Sequence, residues 1–290
     1  MTDLGKMSYF LGVEVMQSEK GIFISQGKYA REVLDRFGMS NSKAVGNPIV
    51  PCNKLTKEGN EAKVDAKKFK QMVGSLMYLT ETRPDLMYAV SLVSRYMEAP
   101  DESHLQAVKR IMRYLKGTEK FGILYKRKGN GELIGYTDSD YAGDIDDRKS
   151  TSGYVFSLGS GVVSWASKKQ PIVTLSTTEA EFVAAAFCAS HAIWLERILR
   201  KLKQCQRKCL TLMCDNSSTI KLSKNPVMHG RCKHIDVRFH FLRDLTKEGK
   251  IELSYCDTSE QLADIITQPV KLDTFLTMRA KLGMCSIEEI

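Results

Sequence analysis

Apolar and polar positions in the first part of the chain predict a hairpin followed by helices. Two β-rich runs, YFLGVEVM and GIFIS, are joined by the polar QSEK and fit a hairpin. Helical spacing of apolar residues then recurs over Lys28 to Phe37, about Ala66 to Thr80, Pro84 to Met97 and Glu102 to Lys116. The first part is therefore predicted as an α+β segment.

The second part alternates strands with helices. Three short apolar runs follow one another closely, at Leu133 to Thr137, Gly153 to Leu158 and Val162 to Ala166. A long helix begins near Thr177. The later elements are a strand over Cys209 to Cys214, helices over Ser217 to Lys224 and Ile235 to Lys247, a strand over Ile251 to Cys256 and a helix from Ser259. This order predicts an α/β domain with a five-stranded mixed sheet flanked by helices.

A basic, glycine-containing stretch from Tyr125 to Glu132 has the composition of a linker. It divides the 290 residues into a first domain at 1–125 and a second domain at 126–290 that ends in a helical tail. Both lengths are in the usual range for domains with their own core.

Net charge and cysteine spacing bear on the partner, the metal content and the cellular compartment of the protein. A formal net charge of +9 is compatible with a polyanionic partner and equally with an ordinary basic protein. None of the eight cysteines forms a C-x-x-C pair, and the spacing of Cys205, Cys209, His229, Cys232 and His234 matches no common zinc module. With no signal peptide and no apolar run of membrane-spanning length, we expect an intracellular protein, cytoplasmic or nuclear, without a membrane partner.

Carboxylates gather in this basic chain where a predicted strand ends. Within ELIGYTDSDYAGDIDD, Asp138 follows the strand on the same face as Ile134 and Tyr136. Taken alone, Asp138 suits a turn. The acids after it suit a solvated loop: Asp140, Asp144, Asp146 and Asp147.

Two glutamates lie at the start of the long helix, and helix geometry separates them. Glu181 heads a stripe of small and apolar residues in steps of four and three, which continues through Ala185, Cys188, Ala192, Leu195, Leu199 and Leu202. Glu179 lies roughly 160° around the helix, where it suits the helix dipole. Glu181 is therefore the predicted site residue.

Two further candidate acids, Asp215 and Asp264, lie later in the chain. Asp215 closes the fourth strand and alone suits a helix N-cap, and Asp264 alone suits an exposed helix position. Together with Asp138 and Glu181 they would form a cluster that is costly without a cation, because like charges raise one another's pKa. Oxygen ligands of this kind suit Mg²⁺ or Mn²⁺, and a pair of such ions about 3.5–4 Å apart serves phosphodiester cleavage.

Long motifs in the second part occur in a fixed order: YTDSDYAGDIDDRKSTSGYVFSLGSGVVSWASKKQPIVTLSTTEAEFVAAA, CDNSSTIKLSKNPVMHGRCKHIDVRFHFLRD and EQLADIITQP. They resemble the RNase H domain of copia-type LTR retrotransposon Pol polyproteins. The first part, with LGKMSYFLGVEVMQSEKGIFISQGKYAREVLDRFGM, MVGSLMYLTETRPDLMYAVSLVSRYMEAP and HLQAVKRIMRYLKGT, resembles the last palm strands, thumb and connection of the matching reverse transcriptase. The resemblance covers nearly the whole chain.

The resemblance implies an RNase H-like fold. It also implies endonucleolytic hydrolysis of the RNA strand in an RNA–DNA hybrid. It places the catalytic, metal-binding acids on Asp138, Glu181, Asp215 and Asp264. It also implies two Mg²⁺ ions, or Mn²⁺, of which one would activate a water for in-line attack and the other would stabilise the leaving 3′ oxygen.

The chain departs from the family pattern in two places. YCDTSEQLAD has no histidine in a loop before the last acid, so the contribution of that histidine is in doubt. The chain also lacks the aromatic-x-Asp-Asp hairpin of a polymerase, since its one Asp-Asp pair, Asp146-Asp147, lies in a polar stretch. No polymerase activity is expected, and the missing fingers and palm portion of the reverse transcriptase is a candidate partner.

Basic residues near the acids are candidates for binding substrate phosphates: Arg148, Lys149, Lys168, Lys169 and Arg238. Such contacts are sequence-independent and salt-sensitive, and a hybrid is read by its shape and its 2′-hydroxyls. A solvated cationic face explains any single one of these side chains equally well.

Three functional hypotheses remain open from the sequence. The first is an active ribonuclease H, which the presence of all four acids favours. The second is a catalytically inactive, nucleic-acid-binding remnant of a decayed retroelement. The third is a protein-interaction scaffold built from the helices between Ala66 and Lys116.

Overall fold

A computed structural model describes residues 5–51, 54–59, 61–127, 131–203, 209–224 and 236–290, with the side chains of 236–239 outside that description. The strands in chain order are β1 (Tyr9–Phe10), β2 (Val13–Gln17), β3 (Gly21–Ser25), β4 (Phe121–Lys126), β5 (Leu133–Ser139), β6 (Thr151–Leu158), β7 (Gly161–Lys169), β8 (Leu210–Cys214), β9 (Ile251–Tyr255) and β10 (Met284–Ser286). The α-helices are α1 (Gly27–Arg36), α2 (Ala66–Leu79), α3 (Met87–Ser94), α4 (Glu102–Gly117), α5 (Thr177–Lys201), α6 (Ser217–Lys224), α7 (Asp236–Lys247) and α8 (Leu272–Lys281).

The chain divides into two units, one of which combines both termini. The first unit is Met1–Gly129 with Pro269–Ile290, and the second is Asn130–Gln268. The predicted division at 125/126 therefore differs from the structure at the C-terminus, because the tail after Gln268 returns to the first unit. The tail does so through β10, which pairs antiparallel with β4.

The first unit contains the predicted hairpin, β2 with β3, in an antiparallel sheet of order β1-β2-β3-β4-β10. Helices α1, α2 and α4 lie where the apolar spacing predicts them. The predicted helix from Pro84 to Met97 instead begins as a 3-10 turn at Pro84–Leu86 and continues as α3. No strand was predicted at β4, and its last two residues, Tyr125 and Lys126, were assigned to the linker. It is a strand because it pairs with β3 and β10.

The second unit confirms the predicted α/β fold class. Its sheet has the order β7-β6-β5-β8-β9. Strands β6 and β7 pair antiparallel on one side of β5, while β8 and β9 run parallel to β5 on the other. Parallel neighbours end at the same edge of a sheet. The C-terminal residues of β5, β8 and β9 therefore share one edge, where Asp138 and Asp215 lie.

Helix α5 covers this sheet. By length and composition alone it is long and apolar enough to cross a membrane, although no apolar run of that length was predicted. Its small residues are instead packed into the core of the second unit, where Ala185, Cys188, Ala189 and Ala192 are fully buried. This is the burial of a helix that closes a protein core.

The helix predicted from Ser259 is wrong. Two 3-10 turns, Thr258–Glu260 and Leu262–Ile266, take its place. Between them Gln261 is extended and fully buried, and its Nε2 donates to the carbonyl oxygen of Thr137 at 3.0 Å. That contact holds the segment against β5 and interrupts helical geometry.

Candidate active site

The four predicted acids converge at the carboxyl edge of the second sheet. Asp138 lies near the end of β5, and Asp215 follows β8 directly. Asp138, Glu181 and Asp264 are only 4%, 6% and 5% exposed. Unpaired carboxylates are rarely this buried, because removing a charge from water is costly. The cluster is thus a site in which charge must be compensated.

Glu181 reaches Asp138 from the first turns of α5. The Ser176 side chain caps this helix by accepting the Glu179 amide at 3.2 Å. The carboxyls of Glu181 and Asp138 lie close enough to interact, and this contact lowers the pKa of Asp138 and raises the pKa of Glu181. Glu179 faces elsewhere, and its Oε2 accepts the Leu175 amide at 2.6 Å. Of the two glutamates, Glu181, which helix geometry favoured, is the one that lies beside Asp138.

Asp215 is not the cap of the helix that follows it. Asn216 Oδ1 accepts the Thr219 amide at 3.0 Å, which is the contact of an N-cap. Asp215 Oδ2 instead accepts a hydrogen bond from Thr258 Oγ1 at 3.1 Å. Asn216 therefore caps the helix in place of Asp215, and the Asp215 carboxylate stays at the sheet edge.

Asp264 is buried, whereas an exposed helix position was its alternative reading. Gly153 explains how the segment that carries Asp264 comes so close to the sheet. Gly153 pairs with Asp138 across β6 and β5. A Cβ on Gly153 would lie 2.6 Å from Thr267 Cγ2 and 3.0 Å from Ile266 Cγ1. The absence of a side chain lets the segment that carries Asp264 lie directly on the sheet.

The electrostatics of the cluster favour protons or a cation. Burial raises the pKa of Glu181 well above its usual range, and Asp138 and Asp215 raise it further. Burial also raises the pKa of Asp138. For Asp264, burial and the charges of Asp138 and Asp215 raise the pKa to about 8. Without a cation the cluster retains protons near neutral pH, because its charges repel one another.

The donor set fits a divalent cation. Glu181 Oε2 is buried and receives no hydrogen bond from any residue in the described part of the chain. Glu181, Cys214 and Asp215 each offer a ligand atom, and these atoms lie within 4.8 Å of one another. Carboxylate oxygens suit Mg²⁺ and Mn²⁺, whereas a protonated thiol does not. Burial raises the pKa of the Cys214 thiol, and Glu181 raises it further, so this site favours the oxygen ligands.

The other acids after β5 belong to a loop that binds its own backbone and a lysine. Asp144, predicted as solvated, is 6% exposed and lies 2.6 Å from Lys169 Nζ. Lys169 also contacts Asp147 at 2.8 Å. Burial raises the pKa of Asp147, but hydrogen bonds from Lys169 and the Lys149 backbone outweigh it and bring the pKa to about 2. These acids stabilise the loop and take no part in the cluster.

The basic residues predicted to bind substrate differ in what they contact. Lys169 is engaged by Asp144 and Asp147, and Lys149 Nζ lies 3.4 Å from Asp147. Arg148 and Lys168 are exposed. The side chain of Arg238 lies outside the described residues, as do Cys205, His229, Cys232 and His234 of the rejected zinc pattern. Binding of substrate by these basic residues stays a prediction.

Sequence reasoning missed the polar residues that support the acids. The Thr267 hydroxyl donates to Asp138 Oδ2, and Gln261 holds β5 through the Thr137 carbonyl. The available signals were weak: Gly153 interrupts an apolar strand, and Gln261 and Thr267 flank LADII. Their partners are distant in sequence, so no local spacing reveals these contacts.

Comparison with known proteins agrees with the sequence motifs. The retrovirus-related Pol polyprotein from transposon TNT 1-94 of Nicotiana tabacum is 41% identical over 299 residues, which cover 99% of this chain and 22% of that protein. The corresponding polyprotein from transposon RE1 of Arabidopsis thaliana is 39% identical over 285 residues, covering 98% of this chain and 19% of that protein. The chain thus spans about a fifth of the length of these curated relatives.

Among solved structures, LC11-RNase H1 in complex with RNA/DNA hybrid is 14% identical, with a TM-score of 0.35, covering 50% of this chain and 99% of that one. No family model matches the chain.

Proposed function

This chain belongs to the retrovirus-related Pol polyproteins of transposons, and we propose that its second unit is a ribonuclease H that cleaves the RNA strand of RNA–DNA hybrids. The observation that carries the proposal is the burial of Asp138, Glu181 and Asp264 beside Asp215. Burying three carboxyls beside a fourth destabilises a fold unless protons or a cation compensate their charge. A cluster of carboxyls with raised pKa values at a sheet edge is the arrangement expected of a cation-binding functional site, which supports the proposal.

Two divalent ions, Mg²⁺ or Mn²⁺, would be held by Asp138, Glu181, Asp215 and Asp264, and when bound they would activate a water and stabilise the leaving 3′ oxygen. The chain's own residues orient the ligands. Thr267 orients Asp138, and Thr258 orients Asp215. Glu181 Oε2 is a buried acceptor in this cluster that is open to a ligand.

The substrate would be a hybrid duplex bound mainly through its phosphates. Arg148 and Lys168 are the exposed candidates for these contacts, which would be independent of base sequence. Lys169 and Lys149 would contribute less, because acids of their own loop already engage them. The fingers and palm portion of a reverse transcriptase remains the proposed protein partner.

The test is a cleavage assay with the purified chain and a hybrid whose RNA strand carries a label at its 5′ end. We expect Mg²⁺-dependent cuts within the RNA that leave 3′-hydroxyl ends, with duplex DNA of the same sequence intact. EDTA should stop the reaction. Failure to cut any hybrid across a range of salt, Mg²⁺ and Mn²⁺ would favour the inactive nucleic-acid-binding remnant. Primer extension on the same hybrids should be absent.

A further inference from the structure

Gln170 joins the two elements that carry Asp138 and Glu181. It follows β7 directly and is 3% exposed. Its Nε2 lies 3.1 Å from Ser139 Oγ and 3.0 Å from the carbonyl oxygen of Ala180. Ser139 follows Asp138 in β5, and Ala180 precedes Glu181 in α5. One amide group therefore spans the two neighbours of the two acids.

The amide is itself held in place from β6. Nε2 donates to Ser152 Oγ at 2.8 Å, and the Gln170 backbone amide donates to the carbonyl oxygen of Ser150 at 2.7 Å. The two N–H groups of the side chain thus serve three acceptors on three different elements. A carboxylate or an apolar side chain of the same size could not do this, because neither has an N–H to donate.

Ser139 passes this constraint to the acids. Its backbone N–H lowers the pKa of both the Asp138 and the Glu181 carboxyl, so it faces these two groups. Its hydroxyl, which accepts from Gln170, donates to the backbone carbonyls of Asp140 and Thr151 at 2.9 and 3.2 Å. Ser139 therefore lies between the Gln170 amide and the two carboxyls.

We infer that Gln170 is a positioning residue that sets the spacing of the Asp138 and Glu181 carboxyls for the ions of the proposed ribonuclease. The inference rests on the proposed function. Gln170 itself touches neither carboxyl, and acts through Ser139 and Ala180. Partners of this kind orient metal ligands, and their loss costs about 10- to 100-fold in metal affinity or activity.

The test replaces Gln170 with methionine, which keeps the length and packing of the side chain and removes both N–H donors. Calorimetric titration with Mn²⁺ should show binding weakened about 10- to 100-fold. In the cleavage assay kcat should fall to a similar extent, while KM for the hybrid stays within about twofold, because the loss affects the reacting geometry and not substrate binding.

A buried substitution away from the site separates positioning from a general loss of stability. Ile251 begins β9, at the opposite end of that strand from Tyr255 and the sheet edge with the acids. Ile251→Val removes one methyl group from the core, so it should lower the thermal midpoint but leave the Mn²⁺ affinity at the parent value.

Unchanged Mn²⁺ affinity and kcat in folded Gln170→Met would overturn the inference. If that variant does not fold, Ser139→Ala carries the test, since it removes the hydroxyl that Gln170 holds: weakened Mn²⁺ binding supports the inference and parent-like binding overturns it. If the parent binds Mn²⁺ but cuts no hybrid, the proposed function fails, and the titrations still decide the role of Gln170.

Discussion

The hydroxyl of Thr267 donates a hydrogen bond to Oδ2 of Asp138, a residue 129 positions earlier in the chain. This contact connects the last segment of the second unit to the end of β5. Thr267 also packs over Gly153, the partner of Asp138 in β6. The same segment carries Asp264. Its close packing on Gly153 therefore brings both Asp264 and the Thr267 hydroxyl to Asp138.

Removing the charge of Asp138 or Asp215 should abolish cleavage and leave binding of the hybrid intact. Asparagine has the shape of aspartate but is a poorer ligand for Mg²⁺. Asp138→Asn and Asp215→Asn should therefore show no cuts in the labelled-RNA assay, with an unchanged hybrid dissociation constant in Ca²⁺. Asp244→Asn on the exposed face of α7 is the matched control and should cut like the parent. Parent-like activity in both site variants would show that the site lies elsewhere.

Gly153→Ala should weaken both the fold and the site. The new Cβ would lie 2.6 Å from Thr267 Cγ2, so the segment with Asp264 must move away from the sheet. We expect a loss of about 1–3 kcal/mol in the free energy of unfolding, measured in urea. Cleavage should fall as Asp264 and Thr267 leave Asp138.

Gly74→Ala is the control for this substitution. A Cβ at Gly74 in α2 meets nothing within 4 Å, and alanine favours helix, so this variant should not be destabilised. Equal stability of Gly153→Ala and the parent would contradict the close packing described at that position.

Without divalent ions, the stability contributed by the acid cluster should fall as pH rises. Burial, with the charges of Asp138 and Asp215, raises the folded-state pKa of Asp264 to about 8, above the unfolded value near 4. The folded state then binds more protons than the unfolded state. The contribution is complete below about pH 4 and is lost as pH climbs through about 8.

The measurement is urea unfolding in EDTA from pH 4 to 9, on the parent and on Asp264→Asn. Between pH 4 and pH 9 the free energy of unfolding of the parent should fall relative to that of Asp264→Asn. Mg²⁺ at pH 8 should raise the free energy of unfolding of the parent more than that of Asp264→Asn, because the cation replaces the protons in the cluster. A pH-independent difference would argue against a protonated Asp264 in the folded state.

Lys169→Met should act mainly on stability. Lys169 Nζ lies 2.6 Å from buried Asp144, and the substitution leaves that carboxylate without its cation. A buried charged group that loses its partner costs about 1–3 kcal/mol or more. Lys168→Met removes an exposed neighbour and should leave stability within about 0.5 kcal/mol. Filter binding of the hybrid should weaken more in Lys168→Met than in Lys169→Met, and the reverse order would assign Lys169 to the substrate.

Local pattern predicted much of the second unit. The alternation in β5, β6 and β7 and the capped start of α5 depend on neighbours in sequence, so their periodicity identified them. The choice of Glu181 over Glu179 followed from the angle between residues on one helix. Such features are determined within a few residues, where a pattern of side chains and a backbone geometry imply each other.

Tertiary structure decided what depends on partners far along the chain. Strand β4 is a strand because β3 and β10 pair with it, and the 3-10 turns before Pro269 replace a helix because Gln261 bonds to Thr137. The burial of Asp264, the pairing of Lys169 with Asp144 and the reach of Gln170 to Ser139 and Ala180 are of the same kind. The sequence by itself identified the four acids and the elements that bear Asp138, Glu181 and Asp215. Only packing, which brings distant residues within a few ångströms, determined their spacing, protonation and support.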